Sequence, residues 1–121
     1  MALVDDLLDN AFQDTQVLLK NDELGDVLST PRDVDFLFRC ADAKKAEIVC
    51  SFVNDNQYGR AKVQEDDGAF SVLLVSHMPI TQNVLCSVSA LMCCIATIFE
   101  VEYDGWGSPI QRAASQETPS K

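Results

Sequence analysis

Basic side chains are scarce in this chain of 121 residues. Nine Lys and Arg stand against nineteen Asp and Glu, for a formal net charge of −10. A field of that sign repels the phosphates of nucleic acid and excludes direct RNA or DNA binding, while it favours cationic partners, a basic segment of another protein first among them. Histidine is rarer still. The lone His77 completes no metal site with the five Cys (Cys40, Cys50, Cys86, Cys93, Cys94), which form neither a Cys-x-x-Cys pair nor any His/Cys spacing suited to zinc. Neither a metal nor a cofactor is expected. The opening Met1-Ala2-Leu3-Val4-Asp5-Asp6 has no basic head and no long apolar stretch, so it does not read as an export signal. An odd number of Cys without such a signal points to free thiols in a reducing cytoplasm, where Cys acts as a small buried apolar residue.

Between Ser71 and Phe99 there is no Asp, Glu, Lys or Arg. By length this would permit a membrane span, but carboxylates flank it on both sides, no Lys or Arg sets an orientation, and Pro79 divides it. A buried strand followed by a buried helix fits better. Catalytic patterns are absent as well. His77 has no Ser or Cys in a nucleophile motif, Gly59 and Gly68 are isolated and form no phosphate loop, and Asp66-Asp67 sits in an exposed turn where nothing raises a carboxyl pKa. No residue is nominated for catalysis, and the chain reads as a binding protein and not an enzyme.

What the sequence does hold is an apolar content of 47%, which excludes a mostly disordered chain and suffices for one domain, residues 1–108. Residues 109–121 are polar and are expected to form a disordered tail. Val4, Leu8, Ala11, Thr15 and Leu18 recur at helical spacing with Leu7, Phe12 and Leu19 at the margins, which predicts an amphipathic helix over 3–20 with that stripe inward. After a linker ending in Ser29-Thr30-Pro31, Val34, Phe36 and Phe38 alternate with Asp33, Asp35 and Arg39 as a first strand. Asp42 caps a second helix with the stripe Ala43, Ala46, Val49, Cys50 and Val53, stopping near Asn54-Asp55-Asn56. Strand runs 58–65 and 69–76 flank Asp66-Asp67-Gly68, a tight hairpin. From Pro79, Ile80, Val84, Val88, Leu91, Ile95 and Ile98, with Leu85, Met92 and Phe99 as a second stripe, predict a third, deeply buried helix.

The chain closes on Phe99-Glu100-Val101-Glu102-Tyr103-Asp104-Gly105-Trp106-Gly107, an alternating run that ends where two glycines flank the only Trp. It resembles the closing signature, Tyr-Asp-Gly-Trp-Gly after a final strand, of the regulator of ribonuclease activity B family, inhibitors of ribonuclease E. The order of elements is that of an α+β fold, a ferredoxin-like split βαβ (β-α-β-β-α-β) antiparallel sheet with an added N-terminal helix, and the fold the resemblance implies is the same. The resemblance further implies a regulator that binds the Arg-rich C-terminal scaffold region of ribonuclease E and alters RNA decay without touching RNA. One departure stands out: family members often carry a long acidic C-terminal tail, whereas 111–121 holds Arg112 and Lys121 against Glu117 alone. An acidic inhibitor or immunity-type protein for another basic target, and a small ferredoxin-like enzyme with an unrecognised site, are the competing readings.

Nine of the carboxylates lie within residues 1–35, opposed only by Lys20 and Arg32. In a ferredoxin-like sheet the start of the first strand lies near the ends of the third and fourth. Asp33, Asp35, Glu102, Tyr103, Asp104, Gly105, Trp106 and Gly107 are therefore the expected partner-binding residues, an acidic and partly aromatic edge suited to Arg. The same topology leaves Leu37 and either Leu73 with Val75 or Val72 with Leu74 on the sheet face away from the helices. The N-terminal helix or a second subunit is expected to cover them.

Overall fold

The computed structural model describes residues 2–112. Helix α1 (Ala2–Glu23) is followed by strand β1 (Arg32–Cys40), helix α2 (Ala43–Asp55), strands β2 (Arg60–Asp66) and β3 (Ala69–Met78), helix α3 (Gln82–Phe99) and strand β4 (Glu102–Gly107). The strands form one sheet in the order β2-β3-β1-β4, each pair antiparallel. This is the expected ferredoxin-like α+β arrangement with an added N-terminal helix.

Local chemistry accounts for the boundaries. Asp42 starts α2 by accepting the Lys45 amide at 2.8 Å. Asp67 (φ 54°) and Gly68 (φ 84°) take the left-handed angles of a two-residue hairpin turn between β2 and β3. Glu100 (φ 58°) ends α3 in the left-handed region, and its amide and that of Val101 return to carbonyls of the last helical turn.

The core lies between one sheet face and the helices. Val34, Phe36 and Phe38 of β1, Val72, Leu74 and Met78 of β3, Ala46, Val49 and Val53 of α2, and Leu85, Met92 and Ile95 of α3 are buried together. Each large one contributes about 1.5–3 kcal/mol by leaving water. By length and composition α3 would cross a membrane; here it packs over β1 and β4 with α1 along its flank.

The structure revises several expectations. Pro79 does not open the third helix: β3 runs on to Met78, Thr81 stands at the N-cap position of α3 without a side-chain cap bond, and Ile80 plugs the core from a loop, its amide donating to the Leu28 carbonyl at 2.9 Å. Ile98, expected inside, is 70% exposed, because the buried stripe of α3 is Leu85, Ser89, Met92 and Ala96. On α1 the inward stripe is Leu7, Asn10, Asp14 and Leu18, rotated from the predicted one by about one residue (roughly 100°). Leu8 and Phe12 are accordingly 67% and 64% exposed. α1 packs on α3 and leaves the far sheet face open, with Leu37, Leu73 and Val75 partly exposed on it.

The α1–β1 link is held by charge. Arg32 and Asp26, both buried, form an ion pair at 2.7 Å. Arg32 also donates to the carbonyls of Val27, Thr30 and Pro109, and Asp26 accepts from Asn21 and from the Gln111 amide. Hydrogen bonds also reach past residue 108, through Pro109 and Gln111, to Arg112, which donates to the Leu24 carbonyl. The rest of the expected tail, 113–121, lies outside the described residues.

Candidate functional site

The signature strand carries a bulge. Tyr103 lies opposite Phe38 and Trp106 opposite Phe36, so β4 spends two residues, Asp104 and Gly105, where β1 spends one. In a regular strand these aromatics, three residues apart, would point to opposite faces; the bulge absorbs the extra residue, and both turn toward the helices. Gly105 makes the bend at φ 90°. A Cβ placed on it would meet nothing within 4 Å, so any penalty for a side chain there is conformational. Gly105→Ala should therefore lower stability by about 1–2 kcal/mol without a clash, read as a lower urea midpoint with unchanged slope.

Turned inward, the two rings enter a polar chain that joins three elements. The Trp106 indole donates to Asp14 Oδ1 at 3.0 Å. Asn10 Nδ2 donates to Ser89 Oγ at 3.0 Å and to Asp14 Oδ2 at 3.3 Å, and the Ser89 and Tyr103 hydroxyls are bonded at 2.8 Å. Tyr103 also packs on Phe38, with ring centroids 5.7 Å apart. Burial pushes the Tyr103 phenol well above its ordinary range. Asp14 is 4% exposed, and desolvation raises its carboxyl from the ordinary 3.8, with the Ser89 and Trp106 hydrogen bonds opposing the shift. The signature therefore fastens α1 to the sheet.

Outside this fastening, α1 and β4 border a trough. One part, about 300 Å³, is lined by Asp6, Asp9, Asn10 and Gln13 of α1 and by Val101, Glu102 and Tyr103. The second, about 240 Å³, shares Asn10, Gln13 and Tyr103 with the first and continues past Val17, Asp104, Gly105 and Trp106. Asp6 and Asp9 place two exposed carboxylates on its α1 side, Glu102 and Asp104 stand on the open-face side of the β4 edge, and no Lys or Arg lines either part.

The expected site residues are divided by this geometry. Glu102, Tyr103, Asp104, Gly105 and Trp106 line the trough. Asp33 and Asp35 lie on the open sheet face: Asp33 meets His77 at 3.0 Å and Arg60 at 3.8 Å, and Asp35 stands opposite Gly107. Asp104 is paired with Arg39 at 2.8 Å. Asp6 and Asp9 belong to the acidic excess of residues 1–35 and to the acidic face of the N-terminal helix, the alternative contact surface to the signature edge; Asn10, Asp14 and Ser89 were not anticipated. An apolar stripe was sought on α1, whereas the donors and hydroxyls of β4 and α3 require polar partners there. The i, i+4 spacing of Asn10 and Asp14 is the only trace of this in the sequence.

The model of the family described as regulator of ribonuclease activity B matches residues 12–108. The chain belongs to that family. Comparison with curated proteins gave no match. The matched span of the regulator of ribonuclease activity B family takes in the C-terminal half of α1 and the whole signature strand, but not Asp6, Asp9 and Asn10 of the trough.

Proposed function

We propose that this chain regulates a ribonuclease in the cytoplasm by protein contact alone, holding a basic segment of the enzyme or its scaffold in the α1–β4 trough. The Arg-rich C-terminal region of ribonuclease E is the segment the family resemblance suggests. The carrying observation is the trough itself, where Asp6 and Asp9 stand over a cavity of about 300 Å³ beside Tyr103, with Glu102 at the β4 edge below them. A guanidinium is attracted by such carboxylates and stacks on an aromatic face, while the overall charge of −10 keeps RNA away. Asp33 and Asp35 act at longer range, adding to the field that draws a cation toward this side of the sheet.

The double variant Asp6→Asn, Asp9→Asn tests this reading. Both side chains are exposed, so the fold should be unaffected, and affinity for a purified scaffold fragment of ribonuclease E should fall roughly 3–10-fold at low salt. At high ionic strength parent and variant should converge as screening removes the difference. Equal affinities at low salt would refute the assignment.

A further inference from the structure

We infer that the trough takes its basic segment as a fifth strand, hydrogen-bonded to the free edge of β4. This rests on the proposed function and adds the geometry of binding. β4 ends the sheet, so one row of its backbone N–H and C=O groups faces away from β1. In the helical layer, α2 lies on β2 and β3, α3 on β1 and β4, and α1 on the flank of α3. Three helices at 8–10 Å spacing cover about 16–20 Å between outer axes, whereas four strands at 4.8 Å cover only about 14 Å. On these generic spacings the helical layer exceeds the sheet by about 2–6 Å, and α1, which packs on α3 and lines the same cavities as β4, stands over the β4 edge.

The lining sets the chemistry of the occupant. Side chains of an added strand alternate between the two sheet faces. Those turned toward α1 meet Asp6 and Asp9 at the Glu102 end and Val17 beside Trp106 at the other. Those turned to the open face meet the Glu102 carboxylate and Asp104, which is already paired with Arg39. The segment that fits is extended, with Arg or Lys at one end and an apolar residue two to four positions away on the same face. The bulge at Asp104 and Gly105 interrupts a regular ladder, so main-chain pairing is short and charge supplies much of the affinity.

The test uses the full chain and three synthetic ten-residue peptides in which Arg, then Val, alternates with Thr. One is unmodified, one is N-methylated at the odd positions and one at the even positions. The unmodified peptide should bind at low salt and slow amide exchange along Glu102–Gly107. One methylated peptide should bind at least tenfold more weakly while the other is little changed, because only one set of amides faces β4. If the unmodified peptide binds and Asp6→Asn, Asp9→Asn weakens it, but both methylated peptides bind equally and β4 exchange is unaltered, strand addition is wrong and the acidic trough survives. If the unmodified peptide does not bind, both fail.

Discussion

Arg32→Met should destabilise the domain by about 3–5 kcal/mol, because it leaves the Asp26 carboxylate charged and buried without its cation. For a fold whose whole stability is about 5–15 kcal/mol, that is a large share. The guanidinium holds more than Asp26. It also binds the carbonyls of Val27, Thr30 and Pro109, so its loss loosens the turn between α1 and β1 and the segment after β4 together. Removing both charges with Arg32→Met, Asp26→Leu should cost less than the sum of the single variants, since no buried ion is then left unpaired. Urea denaturation of the four proteins gives the coupling directly. Strict additivity would mean that the pair contributes nothing as a pair.

Asp26 and Arg32 also show what the sequence conceals. Six residues apart across a linker ending in Pro31, they read as solvated charges; nothing local announces that the carbonyl of Pro109, on the far side of the sheet's last strand, needs a donor there. The parts that were legible are those set by short-range chemistry. Period-two alternation in β1, the Asp42 cap and the Asp-Gly hairpin each carry their own signal, and together they fix the order of elements and hence the ferredoxin-like topology. The face of α1 was misread because hydrophobic periodicity assumes an apolar neighbour. The neighbour supplied by Trp106, Tyr103 and Ser89 is polar on the side that meets α1. The signature was recognisable as a motif, yet its bulge was not, since strict alternation places Tyr103 and Trp106 on opposite faces and only the pairing with Phe38 and Phe36 reveals the extra residue.

The second large effect should come from that bulge. Trp106→Ala removes a ring packed against the core and the indole that donates to Asp14, and should cost about 3 kcal/mol, near the low end for a Trp because the ring is partly exposed. Trp106→Phe keeps most of the packing and deletes the donor, for about 1–2 kcal/mol. The difference between them measures packing apart from the hydrogen bond. Asp14→Asn supplies the complementary measurement through pH. The Asp14 carboxyl titrates above its ordinary 3.8 in the folded chain, so the folded state binds this proton more tightly than the unfolded state does. Its contribution is therefore fully present below the unfolded value and is lost as pH rises through the raised folded one. An amide at this position does not ionise, and its oxygen can still accept the Trp106 N–H once Asn10 reverses its own amide to accept from it. The stability of the parent relative to Asp14→Asn should accordingly fall as pH climbs from about 3 and level off once the carboxyl is ionised. A pH-independent difference would show that Asp14 is not desolvated between α1 and β4, and with it the fastening of the helix over the trough would fail. If the difference behaves as expected, Trp106→Phe should deepen the pH dependence, because the lost N–H is one of the two contacts that hold the Asp14 pKa down.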